Sequence, residues 1–451
     1  MHALRTRGNG GSAVGKGILS REAMIDATAT VVGFRRVAGV LRCEDVELES
    51  IAAAVGTPTF VYSTAAMRAQ YDALERAIGT TPHRVHYSVK ANSNIAVLAF
   101  LRTLGAGVDI VSGGELFRSL HSGFTGADIV FSGVGKTTSE LVEALDAGVK
   151  LINVESEGEL RRLSDVAQAS GRVAPVALRV NPEVSIDTPH RYTRTGGRGD
   201  KFGIPYDSAI DVGRLALALP GIALVGVDMH IGSQIQQLDP YRSGVDRLLA
   251  LAEQLRRAGA SALRYLDVGG GLAVSYDDEA AASVDDFAEV VSHAAVRAGL
   301  ELIIEPGRYL VGNAGALLTR VLDRKQSGGK GYVIVDAGMN DLLRPSHYNA
   351  FHRVEAVRAA AEREVVDVVG PVCESGDFLA LDREIDVVAE GELLVVRSAG
   401  AYGYSMASNY NSRPRAAEVL VDGDRFAVVS ARESHADLIR QERLVPHWRQ
   451  R

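Results

Sequence analysis

A parallel β/α barrel of the TIM type, joined to a mostly antiparallel β domain, is the α/β fold this sequence predicts, on three observations. Between about residues 57 and 320, short β-branched runs alternate with amphipathic stretches rich in alanine and leucine, the pattern of successive βαβ units. Polar or glycine-containing clusters follow the strand candidates at Lys90, residues 112–114, His230, residues 269–271 and residues 305–308, as they would on the active face of a closed barrel. Past "SGGKG", strands succeed one another without intervening helices.

In chain order, "MHALRTRGNGGSAVGKGILS" (residues 1–20) has arginines and glycines but no apolar stretch of signal-peptide length, and reads as a flexible tail. Within residues 21–56, "TVVGFRRVAGVLRCEDVELES" reads as strand and is expected to join the second domain. The barrel, residues 57–320, has the strand candidates "TFVYS", "RVHYSVK", "GVDIVS", "DIVFSG", "LINVES", "VALRVNP", "LVGVDMHIG", "YLDVGGG" and "LIIEPG". Helical segments such as "AAMRAQYDALERAI" and "RSGVDRLLALAEQLRRAG" separate them. Eight or nine units in about 260 residues suit closure. Residues 321–451 complete the β domain through "GYVIVDAG", "EVVDVVGPV", "DVVAEGELLVVRS" and "AAEVLVDGDRFAVVSAR".

The 451 residues are 46% hydrophobic and 23% charged, ordinary for a globular protein. A net charge of −7 leaves no footprint for nucleic acid or an acidic membrane surface. No uncharged apolar run is long enough to span a bilayer. The 2 cysteines, Cys43 and Cys373, lie far apart, and so low a count fits a reducing cytoplasm better than a disulfide framework.

Three short signals fail. "SGVGKTTSE" ends like a phosphate-binding P-loop, but Val130 stands where the motif's first glycine belongs. "DVGGGLAV" lacks the G-x-G-x-x-G order of a dinucleotide turn, and "HRYTRTGGRGDKFG" is a loop rather than a nucleic-acid patch. The histidines show no metal-ligand spacing, so no metal is expected.

Lys90 raises the sharper question. Only seven of the 49 basic residues are lysine, and this one ends a strand-like run in which Val85, Tyr87 and Val89 alternate with His86 and Ser88. An ammonium that can lose its proton is something arginine cannot supply. A Schiff-base lysine needs partial desolvation, so that its amine is neutral and nucleophilic. A phosphorylated aldehyde cofactor also needs unobstructed backbone N–H groups, which Gly269, Gly270 and Gly271 offer. A pyridine electron sink needs an acid at its ring nitrogen, and "IIEPGR" offers Glu305, with Pro306 and Gly307 in the turn and Arg308 as a planar fork for a carboxylate.

"YSVKAN", "HIGSQ", "GGG", "EPGR", "CESGD" and "AGAYGYSMASNYN" occur here in the order found in the pyridoxal-phosphate decarboxylases of the alanine racemase-like fold. The chain resembles that family from about residue 34 to 440. "RVNPEVSIDTPHRYTRTGGRGDKFGI", "DAGMNDLLRPSHYNAFH" and "SRPRAAEVLV" are most similar to its branch acting on meso-2,6-diaminopimelate. The resemblance implies pyridoxal 5'-phosphate as cofactor, and decarboxylation of that small molecule to L-lysine and CO2, the last step of lysine biosynthesis, in a cytoplasmic homodimer. It implies Lys90 as the Schiff-base lysine, His230 against the cofactor ring and Ser233 near the phosphate. The phosphate itself would be held by Gly269, Gly270, Gly271 and the backbone around Gly307, assisted by Tyr402. Glu305 would meet the ring nitrogen, while Arg308, Arg344, Tyr348 and Glu374 would bind the substrate. Cys373 would reach the site from the partner subunit as proton donor.

Taken singly, these residues have structural readings. Lys90 would snorkel to water, His230 would be a hydrogen-bonded core residue, Arg308 would pair with Glu305, and Cys373 would be a small buried hydrophobe. A sister decarboxylase acting on ornithine or arginine, a racemase and a non-catalytic pyridoxal-phosphate-binding homologue remain open. Glu305 argues against the racemase, whose relatives place an arginine by the ring nitrogen. His347, before Tyr348, departs from the residue common at that place in the family.

Overall fold

The computed structural model describes residues 32–184, 190, 195–197, 199–277, 279 and 281–445. The expected tail therefore lies outside the described residues.

Eight parallel strands close into a barrel: His83–Ser88, Gly107–Ile110, Ile129–Phe131, Leu151–Val154, Ala174–Asn181, Ile222–Asp228, Tyr265–Asp267 and Glu301–Ile304. The eighth pairs with the first, Leu302 opposite His83 and Ile304 opposite Val85, which leaves the ring without an open edge. Several of these strands are buried along their whole length. They therefore read in sequence as near-continuous apolar runs rather than as alternating ones. The helices between them are conventional in origin. In Thr64–Ile78, the Ser63 hydroxyl caps the start by accepting from Ala66 N at 3.0 Å, and Met67, Tyr71, Leu74 and Ile78 form the buried stripe.

The ninth strand candidate belongs elsewhere. Thr59–Ser63 lies in the second sheet, antiparallel to Gly315–Ser327 and parallel to Ala417–Asp422. All five of its residues are buried, so its periodicity is that of a barrel strand, and only its partners tell the two apart. The second sheet runs Phe378–Asp386, Arg363–Val369, Lys330–Val335, Gly315–Ser327, Thr59–Ser63, Ala417–Asp422 and Arg425–Ser430, with Leu393–Val396 also paired to Gly315–Ser327. Most of its pairings are antiparallel.

The segment before it makes a small antiparallel sheet, Phe34–Val37, Val40–Cys43 and Val46–Glu47. The last three residues of the expected strand, Leu48, Glu49 and Ser50, instead open the helix Leu48–Val55, because Leu48, Ile51 and Ala52 fall on one helical face. That face packs with Phe34, Leu41 and Cys43 against Val61, Leu318, Val395 and Val419 of the second sheet. Cys43 is buried there and Cys373 is exposed, both as free thiols. Among the described residues, no helix is long and apolar enough to cross a membrane.

Phe60, fully buried in the connecting strand beside Tyr404, at a ring-centroid distance of 5.9 Å, reports on this placement. Phe60→Ala should lower the unfolding free energy by about 3–5 kcal/mol in a urea titration. A loss below about 1 kcal/mol would contradict the burial.

Candidate active site

The carboxyl ends of the barrel strands carry polar residues that have no place in an apolar core. Strand one runs into the short turn Val89–Ala91, which lifts Lys90 to the barrel mouth. Its Nζ donates to Asp109 Oδ2 on strand two at 2.8 Å and to Ser88 Oγ at 3.3 Å. The Asp109 side chain is wholly buried, while that of Lys90 keeps 34% of its surface open to the cavity. Burial acts to lower the Lys90 pKa, but Asp109, Tyr402 and Glu305 outweigh it and hold the ammonium above its usual range. Without a bound aldehyde, contact with the strand-two carboxylate favours the charged form of the Lys90 amine.

Glu305, at the end of strand eight, accepts from Ser132 Oγ at 3.1 Å and Asn153 Nδ2 at 3.4 Å, residues of the third and fourth strand ends. Asn153 also donates to Asp267 Oδ2 at 3.2 Å. Asp228, Asp267 and Glu305 place carboxylate oxygens within 4.8 Å of one another, all buried. Burial, then the nearby Asp109 charge, raises Glu305 from 4.5 to about 7, while Lys90 and Arg179 act the other way. Burial and then Glu305 push Asp228 and Asp267 well above the carboxylate range. Arg179, on strand five, is paired with Glu155 at 3.0 Å.

His230 follows strand six. Its Nδ1 accepts from Gly270 N at 3.1 Å, and burial, Arg179 and Lys90 keep the ring neutral. Gly271, with φ +106°, presents backbone to the pocket. Gly269 and Gly270 stand behind it, and a Cβ on Gly270 would lie 2.1 Å from Glu305 O. Of the three glycines, Gly271 lines the pocket directly.

Ser88, Lys90, His230, Ser233, Gly271, Glu305, Pro306, Gly307, Arg308 and Tyr402 surround one small pocket. It opens beside a cavity of about 430 Å³. His230, Ser233, Tyr276, Glu279, Arg308, Arg344, Tyr348 and Tyr402 face that cavity. Arg308 does not pair with Glu305. Its Nη1 donates to the Tyr276 hydroxyl at 2.5 Å and its Nη2 to Ser233 Oγ at 3.2 Å, and its guanidinium sits 4.8 Å from the Tyr402 ring centroid. Cys373 and Glu374 line neither cavity of their own chain, and both are exposed.

Sequence reasoning did not single out Asp109, Ser132, Asn153, Arg179, Asp228, Asp267 or Tyr276. Apart from Tyr276, each is a polar residue at or near the carboxyl end of a strand candidate ("GVDIVS", "DIVFSG", "LINVES", "VALRVNP", "LVGVDMHIG", "YLDVGGG"), a signal available there. Lys136, of the failed P-loop, spends its ammonium on Gly133 O, Asn153 O and Glu159 Oε1, each at 2.8 Å. Much of the "HRYTRTGGRGDKFG" loop lies outside the described residues.

Residues 64–312 match the family model for the pyridoxal-dependent decarboxylases, pyridoxal binding domain. The chain is 50% identical to the diaminopimelate decarboxylase of Pseudomonas aeruginosa, over 90% of this chain and 97% of that relative. It is 47% identical to that of Vibrio cholerae, over 90% and 98%. Among solved structures, it is similar to the diaminopimelate decarboxylase of Helicobacter pylori complexed with L-lysine, with TM-score 0.85 and 37% identity, covering 88% of this chain and 99% of that one. The counterpart from M. jannaschii in co-complex with L-lysine gives TM-score 0.87 and 33% identity, covering 92% and 98%.

The Glu305 carboxyl offers a stability test. The folded protein holds its proton more tightly than the unfolded chain, so its contribution is complete below about pH 4.5 and disappears as pH rises through about 7. In cofactor-free protein, Glu305→Gln should therefore gain stability relative to the parent from pH 5 to pH 8, read from urea midpoints. No such trend would mean that the buried carboxyl is already ionised at pH 5.

Proposed function

Because the chain belongs to the pyridoxal-dependent decarboxylases, in the diaminopimelate decarboxylase family, we propose that it removes one carboxylate of meso-2,6-diaminopimelate as CO2 and releases L-lysine, the closing step of lysine biosynthesis. The observation carrying this reading is the pairing of two pockets. One holds an amine beside a buried carboxyl, and the other is walled by two guanidiniums without carboxylate partners among the described residues.

The residues present fit pyridoxal phosphate. Lys90 supplies the amine, Glu305 a buried acid, and Gly271 and Gly307 stretches of pocket wall without side chains; a Cβ on Gly307 would meet Cβ of Ser88, itself a lining residue, at 3.1 Å. When bound, this group supplies an aldehyde that captures an amine and a ring that takes up the electron pair left by the departing CO2. Asp109 Oδ2, in contact with Nζ at 2.8 Å, orients the Lys90 amine at the barrel mouth. Glu305 would meet the ring nitrogen and favour its protonated form, and His230, neutral and fixed through Nδ1, would pack against the ring. Ser233, the backbone of the turn Gly269, Gly270 and Gly271 and that around Gly307, and Tyr402 would hold the phosphate. Arg308, Arg344 and Tyr348 take the carboxylate of the substrate's far amino-acid head, where a diamine-forming relative would need acids.

The proton returned to carbon comes from Cys373 Sγ, and Glu374 holds the far ammonium, both delivered by the second subunit of a cytoplasmic homodimer. Their exposure, and their absence from the cavities of their own chain, support that placement. Asp377 stiffens the segment that carries them, accepting from Val372 N and Met339 N, both at 2.6 Å, while Asn411 Oδ1 accepts from Cys373 N at 2.8 Å.

Purified protein should release CO2 and L-lysine from meso-diaminopimelate in preference to ornithine. Lys90→Ala should lose turnover together with the borohydride-fixed cofactor adduct. Release from ornithine alone, or full activity in that variant, would overturn the reading.

Subunit mixing tests the shared site. Cys373→Ala alone should be about 100-fold or more slower. Mixed with Lys90→Ala, it should recover up to about a quarter of parental activity, because each mixed dimer rebuilds one intact site. Absence of recovery on verified subunit exchange would place the thiol outside the shared site.

A further inference from the structure

Two buried guanidiniums facing one cavity repel each other, and something must hold them there. Arg308 acts against the charge of Arg344, and Nε of each is buried without a partner. The described carboxylate lining the same cavity, Glu279, already accepts from Tyr276 N at 2.6 Å and Asp277 N at 2.8 Å. Arg344 Nη1 instead points at His352 Nε2, 2.8 Å away.

The tautomer of His352 follows from its partners. Nδ1 lies 2.8 Å from Arg397 O, a carbonyl that can only accept, so Nδ1 carries the hydrogen. Nε2 then presents a lone pair, which is what an arginine N–H requires. The imidazole is fully buried, and burial, then the Arg344 charge, keeps it neutral. Tyr276 closes the arrangement. Its ring stands edge-on to His352 at 5.3 Å and lies 4.8 Å from the Arg344 guanidinium, and its hydroxyl accepts from Arg308.

Resting on the substrate reading above, we infer that His352 is a positioning residue for substrate selection: it orients Arg344 without discharging it, so that Arg308 and Arg344 act as one preset fork for a distal carboxylate. A carboxylate in its place would orient Arg344 equally well, but would neutralise the charge the ligand is meant to meet. A neutral acceptor anchored to the β domain leaves both positive charges for the diacid.

The test uses cofactor-loaded protein, with pimelate as a non-reacting dicarboxylate followed by calorimetry and meso-diaminopimelate followed by turnover. His352→Asn keeps a donor to Arg397 O but loses the acceptor toward Arg344, whereas His352→Gln restores an acceptor near Nε2. The Asn variant should bind pimelate about tenfold or more weakly and raise KM for the diacid by a similar factor, with a smaller change in kcat. The Gln variant should stay within about threefold of the parent on both measures. Equal affinity in all three proteins, or the same loss in both variants, overturns the inference, because a merely structural role would not separate Asn from Gln. If pimelate binding follows the expected order while diaminopimelate is not turned over by the parent, the positioning role stands and the substrate reading falls.

Discussion

Charge at the mouth of a closed parallel barrel is the constraint on which this site depends. Asp109, Asp228, Asp267 and Glu305 are brought together from four strands in a region with little water, where their carboxylates cannot all ionise. Lys90 answers Asp109 directly and Arg179 answers Glu155 and, at 3.9 Å, Asp228, while Asn153 and Ser132 donate as neutral groups to Glu305 and Asp267. The outcome is a cluster of buried acids held partly by neutral donors, in contact with an amine.

The barrel contributes the reacting half of this arrangement and the second sheet helps close it. Tyr402 N donates to Ala91 O at 2.8 Å, and Asn92 Nδ2 donates to Gly400 O at 3.3 Å, so the turn holding Lys90 is clamped from the β domain. Tyr62 and Asn94 meet at the two oxygens of Glu418, a further buried link between strand Thr59–Ser63, the barrel and Ala417–Asp422. Recognition residues come from elsewhere again: Arg344 and Tyr348 from a short helix, His352 from the segment after it, and Tyr276 from the loop that follows strand seven. A ligand spanning both cavities would touch Arg344, Tyr348 and Tyr276, with His352 behind Arg344, which makes substrate choice a property of how the two domains meet.

Much of the site was legible before any coordinates, because its chemistry is written in contiguous words. "YSVKAN", "HIGSQ", "GGG" and "EPGR" each pair a strand end with the residue type that the chemistry needs there, and the structure gathers Lys90, His230, Ser233, Gly271, Glu305 and Arg308 around one pocket. Less legible was anything set by a partner distant in sequence. Thr59–Ser63 has the same apolar texture as the barrel strands, yet its neighbours are Gly315–Ser327 and Ala417–Asp422. Leu48, Glu49 and Ser50 follow strands closely enough to read as their continuation, and open the helix Leu48–Val55 because its apolar positions fit a buried helical face.

The amino-acid sequence by itself determined the succession of strands and helices, the family, and which side chains could do chemistry, since periodicity and short motifs are local properties. Only the tertiary structure set the carboxylate of Asp109 against Lys90, because it arrives through the pairing of strands one and two. It likewise turned Arg308 from Glu305 toward Tyr276 and set His352 beneath Arg344. Electrostatic state depends on distances between residues far apart in the chain, and strand register and domain contact set those distances.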